Sequence, residues 1–281
     1  MGALVVVLIA AAVGAAVGAW LARRGITADN ALVGRQRAAY AVVLLVAAAA
    51  ALVYWAADIP WLPVWVDLVF NHYGMDAGRA FAGFAFGLVV ALEWPGRRVP
   101  RRLANLAGGG LLLGAGAGYM CYRAMPVAGA LGRPALVQNV VMQTTAYTCV
   151  PAAIATLLRV TARDTAATES LAVAASRTTR EGTSTLAEMR AMSALGLAPR
   201  YGRRLTADSL VAIGRPAVLH VDEPVLSITI RHAVALIGLD PVRREVRLGN
   251  PLHGPQTLRF DQLKGYWLGE AVFVTNAPLP R

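Results

Sequence analysis

The amino-acid sequence predicts an all-α transmembrane bundle of about four helices, followed by a domain of the α+β class. Long apolar runs fill the first part of the chain, whereas short periodic segments separated by turns begin near Gln143. In the second part, helical patterns come first and strand patterns follow, an order typical of α+β rather than alternating α/β folds. We therefore place the membrane region at residues 1–125 and the second domain at residues 135–281.

The composition agrees with a chain made of two unlike parts. Hydrophobic residues make up 57% of the 281 residues and charged residues only 15%. Such a chain is too apolar for a fully soluble protein and too charged for one built only of membrane helices. Its length leaves room for one membrane region and one domain of ordinary size.

Four apolar segments are candidate membrane spans: residues 3–21, 39–56, 80–94 and 103–120. A spanning helix needs about 20 residues, and residues 80–94 form the shortest of the four candidates. Arg23 and Arg24 follow the first segment instead of preceding it, which predicts a retained anchor rather than a cleaved signal peptide. The apolar stretch Trp61–Phe70 is short and interrupted by Pro63, so we predict an interfacial or re-entrant segment there.

The arginines predict the orientation of this region. The loops after the first and third candidate spans carry four arginines each, against Arg79 alone in the loop after the second span. Because positively charged loops stay on the cytoplasmic side, four spans place the second domain on the extracytoplasmic face of a multi-pass protein. An odd number of spans would reverse this orientation.

Glycines recur at a spacing of four residues in the apolar segments: Gly14 and Gly18, Gly83 and Gly87, and Gly110, Gly114 and Gly118. This spacing puts the glycines on one helix face, where helix backbones can approach closely within the lipid bilayer, and it makes self-association a candidate interaction. Chance spacing in a chain rich in alanine and glycine explains the pattern equally well.

Several classes of function are disfavoured. The net charge of +11 suggests a nucleic-acid partner, but Lys264 is the only lysine and the arginines form no basic face interleaved with aromatic residues. The two cysteines, Cys121 and Cys149, cannot build a disulfide framework. No paired spacing of histidines or cysteines suggests a metal site, and we expect neither a metal nor another cofactor.

Cys149 is the candidate nucleophile. Apolar positions recur at helical spacing across Val150–Val160, and Pro151 suits the first turn of a helix. Cys149 is therefore predicted at a helix N-terminus, where the helix dipole and free amide groups favour a thiolate. Taken alone, a cysteine in this position is more often a structural thiol.

A nucleophilic cysteine needs a base, and the base needs a partner that fixes its tautomer. His232 opens the predicted strand Ala233–Leu239, and Asn250 closes the next one, so a hairpin brings the two side by side. His220 ends another strand and could equally be a satisfied half-buried residue, whereas His253 is too close to Asn250 in sequence to face it. The pattern therefore favours His232 as the base and Asn250 as its partner.

The stretch from Gln143 to Cys149 and on through Val-Pro-Ala-Ala resembles the active-site segment of the double-glycine-leader peptidases. These papain-like cysteine peptidases trim bacteriocin precursors, usually as a domain fused to an ABC exporter. The similarity covers about residues 138–275. His232-Ala-Val-Ala-Leu-Ile-Gly matches the family's base at the start of a hydrophobic strand, and Asn250-Pro-Leu-His-Gly matches its orienting aspartate followed by proline and glycine.

The resemblance implies a papain-like fold for the second domain and a role for Gln143 as an oxyanion-hole donor. It implies a membrane-anchored bacterial endopeptidase of the inner membrane that cleaves a peptide or protein precursor, with a separate exporter as a candidate partner. The chain departs from the family at Thr148 and Val150, where aspartate and glycine are usual, and at Asn250. It also carries no phosphate-binding glycine loop for an ATPase.

Two other functions remain open at this point. A non-catalytic module could use the same cleft to hold a peptide, although the presence of Cys149, His232 and Asn250 together argues against it. A related acyl transferase or amidase could apply the same thioester chemistry to another amide. The sequence does not identify the substrate.

Overall fold

A computed structural model describes residues 2–30, 63–96 and 99–279, together with the separate positions 41, 44, 45, 48 and 49. The chain divides into two compact units, Met1–Ala124 and Met125–Arg281. The first unit contains helices α1 (Gly2–Arg23), α2 (Val64–Gly96) and α3 (Val99–Arg123). Within the described residues, two stretches are long and apolar enough to cross a membrane by length and composition alone, Leu4–Arg23 and Asp76–Pro95.

Within the described residues, these two stretches match the first and the third of the four expected spans. Residues 80–94 lie inside the 33-residue helix α2. Residues 103–120 are helical within α3 but are not among the two stretches of spanning character. Most of the candidate span 39–56 lies outside the described residues. Val64–Phe70 are helical and continue into α2 without a break. The expectation that Trp61–Phe70 is interfacial or re-entrant stays a prediction.

The glycines of α1 and α2 lie where these two helices meet. A methyl group at Gly14 would overlap the carbonyl oxygen of Phe84, and one at Gly87 would overlap that of Ala11. Gly18 and Gly83 are similarly crowded by the opposite helix. Because only a glycine permits this backbone approach, the four-residue spacing in α1 and α2 serves packing within the chain.

The second unit is an α+β domain, as predicted. A hairpin of β1 (Ala135–Val137) and β2 (Val140–Met142) comes first. The main sheet has six antiparallel strands in the order β3-β8-β4-β5-β6-β7. These are β3 (Pro199–Gly202), β4 (Ala217–Val225), β5 (Ile228–Asp240), β6 (Glu245–Asn250), β7 (Gly254–Arg259) and β8 (Trp267–Val274).

Helices cover both faces of this sheet. On one side lie α4 (Cys149–Thr161), α5 (Glu169–Ser176) and α6 (Thr185–Ala194), packed on a core that includes Val218, Ala233 and Val272. On the other side lie α7 (Ala207–Ile213) and α8 (Phe260–Tyr266), packed on a core that includes Leu219, Val234 and Leu248. Successive residues of a strand point to opposite faces, so each central strand contributes to both cores.

Helix α4 is the central helix of the domain. Its first nine residues after Cys149 are all buried, and many are alanines that let the helix lie close to the sheet. Val141 donates its backbone N–H to the hydroxyl of Thr156 over 2.9 Å, which ties β2 to this helix. The burial of α4 fixes the position of Cys149 at its first residue.

Candidate active site

Cys149 is half-buried, and three backbone amide groups lie within hydrogen-bonding reach of its thiol: its own and those of Val150 and Ala233. Burial raises the pKa of this thiol to about 11, and the nearby charge of Glu188 acts in the same direction. The amides lower the pKa by less than burial raises it. Loss of solvent outweighs the helix N-terminus, so the surroundings favour a neutral resting thiol over the thiolate expected from the sequence.

His232 and Asn250 meet as the hairpin predicted. Strands β5 and β6 pair from Ala235 opposite Gly249 to Asp240 opposite Glu245, which brings the open ends of the hairpin together. Nε2 of His232 lies 3.0 Å from Oδ1 of Asn250. Both side chains are buried, Asn250 completely.

The surroundings of Asn250 decide which way its amide group faces. Its nitrogen, Nδ2, donates to a carboxylate oxygen of Glu223 over 2.8 Å, and a carboxylate only accepts. Its oxygen, Oδ1, accepts the backbone N–H of Leu252 over 2.9 Å. Oδ1 therefore also accepts from His232, which must carry its proton on Nε2. Nδ1 of His232 is left unprotonated and able to act as a base.

His232 is neutral in this arrangement. Burial lowers the pKa of the imidazole below its ordinary value of 6.5. The hydrogen bond to Asn250 and the charge of Glu223 raise it by less, and His253 lowers it further. The resting pair is thus a neutral thiol and a neutral imidazole.

Glu223 was not predicted from the sequence, although it lies at the centre of the polar cluster behind Asn250. Its side chain is buried, with the residue only 4% exposed. It accepts from the hydroxyl of Tyr266 over 2.5 Å, and its second oxygen lies 3.3 Å from Nε2 of His253. Burial, and then Glu223, raise the pKa of the Tyr266 hydroxyl, which remains a donor.

Gln143 lies on the loop between β2 and α4. Its backbone N–H donates to the carbonyl of Pro251 over 3.0 Å, which joins this loop to the turn that follows Asn250. Its Nε2 donates one hydrogen to the carbonyl of Thr145 over 2.9 Å and keeps a second hydrogen for another acceptor. Its Oε1 is buried and has no hydrogen-bond partner in the described part of the chain.

The other histidines are unsuited to act as the base. His220 is held between two carboxylates, with Nε2 2.9 Å from Glu188 and Nδ1 3.2 Å from Glu270. Burial alone would lower the pKa of His220, but the two glutamates raise it to about 10. His220 is therefore a protonated partner in a buried ion pair. His253 is half-exposed and contacts Glu223, and His72 belongs to α2 in the other unit.

Among the residues that the structure describes, no group of three or more histidine, cysteine, aspartate or glutamate side chains could hold a metal ion. Cys121 lies on α3 and is a free, exposed thiol.

No protein-family model and no curated protein matches this chain. Several solved structures are similar to it, among them the following three. The crystal structure of the peptidase domain of Streptococcus ComA, a bifunctional ABC transporter involved in a quorum-sensing pathway, shares 20% identity over 49% of this chain and 96% of that chain, with a TM-score of 0.41. A double glycine motif protease from an AMS/PCAT transporter, in complex with the leader peptide, shares 19% identity over 52% and 92%, with a TM-score of 0.40.

The third structure is the peptidase domain of Streptococcus mutans ComA, with 19% identity over 48% of this chain, 97% of that chain and a TM-score of 0.35. Similarity at this level assigns no activity to the chain.

Proposed function

We propose that this chain is a membrane-anchored cysteine endopeptidase that cleaves a peptide or protein precursor. The observation that carries the proposal is the hydrogen bond from Nε2 of His232 to Oδ1 of Asn250, with the amide orientation set by Glu223. That bond leaves Nδ1 of His232 as a free base on the strand whose next residue, Ala233, contacts the Cys149 thiol. A thiol, an oriented imidazole and a third group that orients it are the parts that thiol-dependent acyl transfer requires.

The proposed reaction begins from the neutral pair. As the sulfur of Cys149 attacks the substrate carbonyl carbon, the thiol proton passes to Nδ1 of His232. The second hydrogen on Nε2 of Gln143 and the backbone N–H of Cys149 stabilise the negative oxygen of the tetrahedral intermediate. The imidazolium then protonates the leaving amine as the carbon–nitrogen bond breaks, which leaves a thioester on Cys149.

Hydrolysis of the thioester completes the cycle. Neutral His232 takes a proton from water through Nδ1, and the resulting hydroxide adds to the thioester carbonyl. The carbon–sulfur bond then breaks, and the proton returns to the sulfur to restore the resting thiol. Asn250 carries no proton in either half of the cycle and acts by holding the imidazole in place.

The proposal is tested with the full chain in detergent micelles and a library of synthetic peptides, with cleavage read by mass spectrometry. Cys149→Ala and His232→Ala should both abolish cleavage, because nucleophile and base act as a unit. Gln143→Ala should lower kcat by about 10²–10³, as for the loss of one oxyanion donor. The matched controls Cys121→Ala and His72→Ala should cleave as the parent does.

Three outcomes would overturn the proposal. Full cleavage by Cys149→Ala would remove the nucleophile. Peptide binding without any cleavage would indicate a binding module. Amide products that outweigh hydrolysis products when an amine is added would indicate an acyl transferase.

We also propose that the chain is anchored in the bacterial inner membrane with its second unit on the extracytoplasmic side. Leu4–Arg23 and Asp76–Pro95 have the length and composition of spans. Four spans, with the arginine-rich loops after the first and the third in the cytoplasm, keep both termini outside it. An alkaline phosphatase fused after Arg281 should be active and a green fluorescent protein fused there should be dark. The reverse pair of results would place the site in the cytoplasm.

A further inference from the structure

An asparagine that partners a catalytic histidine can adopt two amide orientations, and only one of them accepts a hydrogen bond from the histidine. The oxygen and the nitrogen of its amide are similar in size, so the group can turn over and present a donor where an acceptor stood. A turned amide at Asn250 would donate to Nε2 of His232 and stabilise the opposite tautomer, with the proton on Nδ1. The site would then lack a base that faces away from Asn250.

Glu223 opposes this rotation. Its carboxylate accepts from Nδ2 of Asn250 over 2.8 Å, and a turned amide would bring Oδ1 against the carboxylate oxygen instead. Two acceptors in contact within a buried site repel each other, with no water between them to relieve the contact. Two other oxygens lie 3.2 Å from Nδ2, the side-chain oxygen of Gln256 and the hydroxyl of Tyr266. Both belong to neutral groups, so they disfavour the turned amide less than the carboxylate does.

Glu223 also supplies the charge that Asn250 lacks. Its carboxylate lies one hydrogen bond behind Asn250, and its charge favours the protonated imidazole of His232. An imidazolium forms when the thiol proton is transferred, so this charge stabilises the state reached during attack. The groups that face Glu223 are Asn250 of β6, Tyr266 at the end of α8, and His253 in the turn after β6.

We propose that Glu223 is a positioning residue of this site, and that the pair Glu223–Asn250 does together what a single carboxylate would do in contact with the imidazole. This inference rests on the proposed function. In this arrangement the amide of Asn250 orients the ring of His232, while the carboxylate of Glu223 fixes the amide and provides the charge.

The test exchanges the two groups. Glu223→Gln removes the charge and lets the amide of Asn250 turn, so we expect kcat to fall by about 10–100-fold, as for the loss of other supporting partners behind a reactive group. Asn250→Asp alone places two carboxylates in contact, which must share one proton. Its kcat should therefore fall as that proton is lost at higher pH.

The double variant Glu223→Gln with Asn250→Asp restores one amide and one carboxylate in reversed order. We expect it to recover most of the activity lost by Glu223→Gln at pH 8, a coupling that independent residues would not show. A double variant as poor as the product of its two single changes would overturn the proposal. Tyr266→Phe is the matched control, because it removes a neutral hydroxyl that contacts both Glu223 and Nδ2 of Asn250 and leaves the carboxylate in place.

A second measurement needs no peptide substrate. Nitrogen NMR of the full chain in detergent, with its four histidines labelled, reports which ring nitrogen of His232 carries the proton. We expect the Nε2–H form in the parent and in Tyr266→Phe, and a mixture of both forms in Glu223→Gln. An unchanged tautomer in Glu223→Gln would overturn the inference even if activity fell.

The two proposals can fail separately. A chain that cleaves no peptide, but whose His232 tautomer changes in Glu223→Gln, would overturn the peptidase proposal and retain the positioning role. If the Glu223→Gln variant cleaves peptides as well as the parent does, the positioning role is overturned and the peptidase proposal is retained.

Discussion

The thiol of Cys149 lies within hydrogen-bonding reach of the backbone amide of Ala233, the residue that follows His232 on β5. This contact joins the first residue of the buried helix α4 to the strand that carries the proposed base. Ala233 is itself buried beneath α4, so the position of the thiol is set by the main core of the domain. Cys149 and His232 are therefore held beside the buried core of the second unit.

The pH dependence of thiol alkylation should report a neutral resting thiol. Because burial raises the pKa of Cys149 to about 11, its reaction with iodoacetamide should be slow at pH 7 and should accelerate as pH approaches 11. The measurement is made in a Cys121→Ala background, since Cys121 is exposed and would react independently. A fast rate that is constant from pH 6 to pH 9 would instead indicate a preformed thiolate and imidazolium pair.

The acid limb of kcat/KM should lie below pH 6.5. Burial lowers the pKa of His232 from 6.5, and the base must be neutral to accept the thiol proton. Activity should therefore be lost only as pH falls through that lowered value. A His72→Ala variant should give the same profile. An acid limb centred above pH 7 would mean that a different group is being titrated.

His220 should contribute stability that depends on pH. Its folded pKa of about 10 lies above the ordinary 6.5, so the contribution is fully present below pH 6.5 and is lost as pH rises through 10. His220→Ala leaves Glu188 buried beside an empty site and should lower the free energy of unfolding by about 3–5 kcal/mol at pH 6.

Urea unfolding of the full chain at pH 6 and pH 10 measures this difference. The control is His253→Ala, because His253 is half-exposed and its loss should cost far less. An effect of His220→Ala that is equally large at both pH values would show that the ion pair is not its cause.

The crowded glycines of the first unit should tolerate no side chain. Gly87→Ala forces α1 and α2 apart and should lower stability in detergent by about 1–3 kcal/mol, as overpacking does elsewhere. Gly114→Ala on α3 is the matched control, because nothing lies within 4 Å of the added methyl group. Alanine is the better helix former, so this control should be neutral or slightly stabilising. Equal losses in both variants would contradict the packing argument.

The sequence predicted those parts of the site that depend on local patterns. Cys149 was recognised from a helix start, and His232 and Asn250 from the two ends of a hairpin. Glu223 could not be found in this way, because Asp222-Glu223-Pro224 resembles a polar strand end and its burial depends on α8 returning across the sheet. Tyr266 likewise reaches the site only through this long-range packing.

The shorter elements could also not be predicted from local sequence patterns. The seven-residue helix α8 was not predicted, and β8 begins directly after it at Trp267. The pKa of the Cys149 thiol differs from the sequence-based expectation for a related reason. A helix N-terminus is visible in the sequence, but the burial that outweighs it is a property of the folded domain.

The contact between Glu223 and Asn250 constrains how these two positions can change during evolution. Because acidic residues at both positions would face each other at hydrogen-bonding distance, a change at position 250 from asparagine to aspartate carries a penalty while Glu223 is present. Divergence between the two forms of the site should therefore pass through a neutral residue at position 223 first. Among homologues, an aspartate at position 250 should coincide with an uncharged partner at position 223, and an asparagine with a glutamate.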